Sequence, residues 1–196
     1  IELLDTWGTR LSGLYTFANS PKHLALYQKF GYWPRFLTAI LSAPVAADVR
    51  APARCRTYSA VPEAEREACL AACGALTDAI YDGLDVRREI ETVEAQGLGD
   101  TVLILDGADL QAFAVCHCGP GTEAGDGVCY LKFGAARPVP RVEQSFDALL
   151  DACLALAAQR GLERLVAGVN SARERAYRRL LARGFRIASL GVAMHR

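Results

Sequence analysis

The chain has 196 residues, of which 52% are hydrophobic, and its 22 Lys and Arg are balanced by 22 Asp and Glu. That length can bury one full core and part of a second, and a neutral total argues against a surface built to neutralise nucleic-acid phosphates or an anionic membrane. No apolar run approaches the roughly 18 residues that span a bilayer, and no charged-then-apolar leader opens the chain, so a soluble cytoplasmic protein is expected.

Residues 1–8 (IELLDTWG) read as the last turns of a helix stopped by Gly8. A β-branched and aromatic strand follows at residues 14–17, then Asn19-Ser20-Pro21, where Ser20 is placed to cap a helix and Pro21 suits its first turn. Leu24, Leu26, Tyr27 and Phe30 recur near helical spacing, Gly31 stops the helix, Trp33-Pro34 marks a turn, and residues 36–41 resume as a strand. Residues 42–53 (SAPVAADVRAPA) have the composition of a linker. Pro62-Glu63 opens a helix whose early Glu63, Glu65 and Glu67 suit its positive end, with Leu70, Cys73, Leu76 and Ile80 as its apolar stripe and Gly83 as its break.

A more polar helix is expected over residues 86–95. A hairpin of strands 101–105 and 110–118 then turns on Asp106-Gly107-Ala108-Asp109. The glycine-rich loop 119–127 leads to a strand at 128–135, and the chain closes as helix 146–159, strand 165–169, helix 172–182 and strand 185–194.

The closing segment repeats the opening one. Leu11, Leu14, Asn19, Ser20 and Gly31-Tyr32 have counterparts in Leu162, Leu165, Asn170, Ser171 and Gly184-Phe185, with two residues inserted between Asn170 and Gly184. Residues 1–8 likewise match 154–161, so the repeat begins ahead of Leu11. A spacing of about 150 residues is too long for a solenoid unit and points to two related domains in tandem.

This strand, helix, Gly-aromatic, strand pattern resembles the C-terminal half of the GNAT superfamily of acyl-CoA-dependent N-acyltransferases, whose helix carries Asn-x-x-Ala-x-x-x-Tyr-x-x-x-Gly-Phe. Counting back from Gly31, the Tyr position is Tyr27, the Ala position His23 and the Asn position Ser20, with Asn19 one residue early. The resemblance implies an α/β fold with a mixed central sheet flanked by helices. It also implies acetyl-CoA as co-substrate, a small-molecule or protein amine as acceptor, Tyr27 as the acid that protonates the departing thiolate, and cofactor contacts near Asn19, Ser20 and Lys22. By the same resemblance, residues 1–45 are the back half of a first lobe, 46–53 a linker and 54–196 a whole second lobe.

An acyl-CoA transferase needs backbone N–H groups at a helix N-terminus, with glycines that let a pyrophosphate approach. The family's Gln/Arg-x-x-Gly-x-Gly/Ala falls on residues 141–146, where Arg141 fits but Gln144 and Phe146 replace the small residues and Glu143 adds a negative charge. Counting back from Gly184, the acid's position is Leu180, with Tyr177 almost a turn earlier. The second lobe is therefore expected to be non-catalytic. The first keeps Tyr27, and its phosphate loop would precede Ile1; the sole methionine, Met194, fits the expectation of residues upstream.

Other readings stand beside these. Tyr27 is equally a core aromatic, His23 a surface residue, Lys22 a solvated first-turn residue, and the arginine run from Arg173 to Arg183 a solvated helix face. Seven cysteines in aliphatic settings suggest reduced core thiols. Cys116-His117-Cys118 with Cys129 lacks the Cys-x-x-Cys turn of a zinc site, so no metal is expected. The rival function is a non-catalytic scaffold or dimerisation module derived from the same fold, since an orphaned half-lobe with exposed strand edges is expected to pair, for example as a homodimer.

Overall fold

A computed structural model describes residues 2–196; Ile1, part of the expected opening helix, lies outside them. In chain order the elements are α1 (Glu2–Thr6), β1 (Gly13–Phe17), α2 (Pro21–Lys29), β2 (Trp33–Pro44), β3 (Cys55–Thr57), α3 (Glu63–Asp78), α4 (Arg87–Ala95), β4 (Gly99–Asp106), β5 (Asp109–Cys118) and β6 (Val128–Ala136). They continue with α5 (Val142–Gln159), β7 (Arg164–Asn170), α6 (Glu174–Ala182) and β8 (Arg186–His195). The protein is thus mixed α/β, its sheet flanked by helices. Two compact units form, one from Ile1–Ser42 with Gly168–Arg196 and one from Ala43–Ala167.

In the first unit, β8 lies between β1 and β2 and is antiparallel to both, with Leu14 opposite Met194, and Val192 opposite both Thr16 and Leu37. The closing strand of the second sequence copy therefore pairs with both strands of the first. Trp33-Pro34, expected as a turn, already belongs to β2. A bulge between Pro34 and Phe36 follows at once, and the start of a strand and a bulge are both places where a residue without an N–H is tolerated. The two copies end their helices alike. Tyr32 N–H donates to Tyr27 O at 3.1 Å and Gly31 N–H to Gln28 O at 3.0 Å; Phe185 N–H donates to Leu180 O at 3.1 Å and Gly184 N–H to Leu181 O at 3.1 Å. Gly31 and Gly184 hold φ at 83° and 86°, the left-handed C-terminal stop. Both helices have nine residues, and the two inserted residues are taken up by a 3-10 turn at Ser171–Arg173 ahead of α6.

In the second unit, β6 is parallel to β7 (Cys129 opposite Leu165), and β6-β5, β5-β4 and β4-β3 are antiparallel. One face packs Phe113, Val115 and Leu103 against Cys73, Leu76, Ile90 and Val93 of α3 and α4; the other packs against α5, whose Leu149, Leu150 and Cys153 are fully buried. The short β3 and the 3-10 turn Tyr58–Ala60 were not legible in the sequence, because Cys-Arg-Thr offers neither apolar alternation nor a turn signal. Helix α5 begins at Val142, one turn earlier than its apolar stripe suggests.

The buried thiols make stability sensitive to alkali. Cys118 is pushed up by its hydrogen bond with Cys129 and by burial, and Cys129 by its hydrogen bond with Cys116 and by burial. For full burial at Cys116, the lowering effect of Cys129 is outweighed by the hydrogen bond to Cys153 and by loss of solvent. A thiol held protonated in the fold binds more protons than the unfolded chain once pH exceeds the unfolded value near 8.5, so stability is intact below that pH and falls as pH rises. Denaturant unfolding is expected to lose about 1 to 2 kcal/mol per fully buried thiol by pH 10. A Cys129→Ser variant should show a shallower alkaline slope, and an unchanged slope would refute this.

Candidate functional site

The sequence-expected residues meet where β1 passes into α2. Phe17 ends the strand, Ser20 N–H donates to Phe17 O at 3.2 Å to close a turn, and Leu24 N–H donates to Ser20 O at 3.1 Å to begin the helix. Ser20 occupies the N-cap position, but its side chain does not cap. Instead Ser20 Oγ lies 2.6 Å from His23 Nδ1, a hydrogen bond whose donor is set by the imidazole tautomer. This corrects the expectation that Ser20 caps α2. It also gives His23 a role that sequence reasoning missed, legible only as a serine and a histidine three apart across a helix start.

Ser20, His23 and Tyr27 are spaced i, i+3, i+7 and so share one stripe of α2. Tyr27 and Ser20 are half-buried; Asn19, Lys22 and His23 are exposed. Asn19 sits in the turn and Lys22 in the first turn of the helix, where the unpaired amides already favour an anion and an ammonium adds to that field. Of the apolar residues expected to bury α2, Leu26 and Phe30 are 45% and 51% exposed, and no residue of the helix is buried.

The second copy differs where the chemistry would be. Leu180, in Tyr27's position one turn before the glycine, is 2% exposed and apolar. Tyr177 is half-buried and three residues earlier, on another part of the helix face. Asn170 does what Ser20 does not, its Oδ1 accepting from Ala172 N–H at 3.1 Å.

At the start of α5, Val142 N–H is already donated to Val139 O at 2.9 Å and Ser145 N–H to Arg141 O at 3.2 Å. Gln144 and Glu143 are exposed and Phe146 half-buried. The stretch 141–146 is therefore mostly helix, with Gln144 and Phe146 where a phosphate cradle has its small residues.

Two polar groups elsewhere in the second unit are structural. Asp100 is buried; it accepts from Thr101 N–H at 2.9 Å, Ser59 N–H at 3.2 Å and the Ser59 hydroxyl, with Arg160 at 3.8 Å. A cleft of about 420 Å³ near Gly74 and Leu84 has Asp78 and Asp85 on its wall. Asp78 accepts from Gly83 N–H at 2.8 Å, and Arg87 holds Asp85 and lowers its carboxyl below the ordinary range, so neither carboxylate is spare. The triplet Cys116-His117-Cys118 does not converge: Cys116 meets Cys153 of α5, while His117 Nε2 turns to Glu89 of α4 at 3.3 Å.

Comparison with known proteins identifies the fold. No family model matches the chain, and no curated protein matches it in sequence. Among solved structures, the GCN5-related N-acetyltransferase from Sphaerobacter thermophilus aligns with a TM-score of 0.58 at 18% identity over 95% of this chain and 59% of its own. A GNAT-family acetyltransferase from Colwellia psychrerythraea aligns with 0.58 at 11% identity over 94% and 63%. The Salmonella typhimurium protein yncA, a candidate acetyltransferase solved with its cofactor acetyl-CoA, aligns with 0.53 at 13% identity over 72% and 91%. The fold is GNAT-like, and the chain spans less than two thirds of the length of the first two.

Proposed function

We propose that this chain is part of an acetyl-CoA-dependent N-acetyltransferase that passes the acetyl group directly to an amine, with the chemistry at the β1–α2 junction and the second copy retained as a non-catalytic lobe. On this reading residues 1–45 are the back half of the catalytic lobe, 46–53 the linker and 54–196 the degenerate one. One observation carries it. The two copies have helices of equal length ending in the same hydrogen-bonded glycine stop, yet the position one turn before that stop is a half-buried tyrosine in one and a buried leucine in the other.

When bound, acetyl-CoA supplies the activated acyl group. Asn19, Ser20 and the Lys22 ammonium would hold the cofactor at the helix start. A backbone N–H would polarise the thioester carbonyl as the amine attacks, and the Tyr27 hydroxyl would give its proton to the departing thiolate. No covalent enzyme intermediate is needed. Fold kinship with a protein solved with acetyl-CoA supports the choice of co-substrate.

A calorimetric titration tests the division of labour. Because the start of α5 presents Gln144 and Phe146 in place of glycines, the 196-residue chain is expected to bind acetyl-CoA more weakly than micromolar. Micromolar binding would overturn the reading.

A further inference from the structure

Cys118 and Cys129 face each other across the last paired residues of β5 and β6. Their Sγ atoms are 3.8 Å apart. Cys118 N–H is donated the other way, to Leu98 O at 2.9 Å, while Gly119 N–H bonds Val128 O on β6 at 2.9 Å. Cys118 and Cys129 are therefore a non-hydrogen-bonded antiparallel pair, the kind whose Cα atoms lie about 4.5 Å apart, inside the window a disulfide accepts. Cys118 is half-buried and Cys129 buried, so one thiol can be reached and the other waits behind it.

We propose that Cys118 and Cys129 form a reversible cross-strand disulfide, a redox modification site whose reactant is a low-molecular-weight disulfide. Cys118, which Cys129 and burial hold protonated at rest, gives up its proton as it attacks one sulfur of that reactant and releases its first thiolate, giving a mixed disulfide. Cys129, losing its proton, then attacks the Cys118 sulfur and releases the second. Two protein thiols are oxidised, one small disulfide is reduced to two thiols, and the two cysteine protons end on the released thiolates. Reversal runs the same exchange backwards: two small thiols attack the bond in turn from the half-buried Cys118 side, both protein thiols are restored and the small disulfide is re-formed.

The other close thiols are differently placed. Cys116 and Cys153 are also 3.8 Å apart, but both are buried. Cys69 and Cys73 are one turn apart on α3, where Cβ atoms lie about 5 to 6 Å apart, beyond the span a disulfide closes. Cys69 is half-buried and its thiol is lowered by a hydrogen bond from Cys73, so it should collect a mixed disulfide that persists.

The test is to treat the reduced protein with oxidised glutathione, quench in acid, and cleave after Glu123, which separates the two cysteines. The expected result is one reducible pair of peptides joined through Cys118 and Cys129, retained in Cys116→Ser. In Cys129→Ser, the glutathione adduct on Cys118 should outlive that of the unaltered protein by about tenfold or more, because its resolving thiol is gone. A persistent adduct on Cys118 in the unaltered protein, a Cys116–Cys153 link in place of the expected one, or an unreacted Cys118 would each overturn the proposal.

Discussion

Tyr27→Phe is expected to lower kcat by about a hundredfold or more while leaving KM for acetyl-CoA within a few-fold, measured on protein that acetylates an amine. The reason is specific to the leaving group. On the proposed reading, the departing thiolate gains from a proton delivered as the bond breaks, and the two hydroxyls of the Ser20-His23-Tyr27 stripe are those of Tyr27 and of Ser20, the latter engaged with His23. Removing an acid that acts only in the transition state reduces kcat and kcat/KM together. Tyr177→Phe, in the second copy and on another part of its helix, should leave the rate unchanged. Equal losses in the two variants would remove the asymmetry on which the functional reading stands.

The largest stability effect is expected at Gly99. A Cβ there would run into the Cys116 carbonyl oxygen, with the Cys116 carbonyl carbon at 2.9 Å and His117 Cα at 3.1 Å. All three are backbone atoms of β5, so no side chain can rotate away and β4 must separate from β5. Urea unfolding of Gly99→Ala should show a loss of about 3 kcal/mol or more. Gly97→Ala separates this from ordinary glycine strain. Its φ is +65° and nothing lies within 4 Å of the added carbon, so it should cost only about 1 kcal/mol. A Gly99→Ala loss no larger than that of Gly97→Ala would show that the close approach between β4 and β5 is not real.

Much of this was legible because the second copy repeats the first in residue types that have strong local meaning. Gly31 and Gly184 are helix stops whatever surrounds them, and Pro21 suits a helix start, so both ends of α2 and the end of α6 are legible. Helix α6 itself starts at Glu174 and not at Ala172, because the two inserted residues go into the 3-10 turn Ser171–Arg173. What was missed depends on partners distant in sequence. The three residues of β3 are a strand only because Val102, Leu103 and Ile104 are available to pair with them. Pro34 reads as a turn until the strand bulges around it. Ser20 is a good capping residue by type, yet its hydroxyl pairs with the His23 imidazole, a choice between a ring nitrogen and the backbone N–H groups of the first turn that composition does not decide.

Copy and compact unit also differ. Each copy reads as a module along the chain, but the closing strand β8 is shared between both strands of the opening copy, so the unit formed by contact takes residues from both ends. Periodicity reveals elements and not which of several equivalent edges they choose.

Amide hydrogen exchange at millimolar acetyl-CoA tests most directly whether cofactor contact belongs to the first copy. Slowed exchange over residues 18–27, with no change over residues 137–146, is the predicted result. Slowed exchange over 137–146 with none over 18–27 would contradict it.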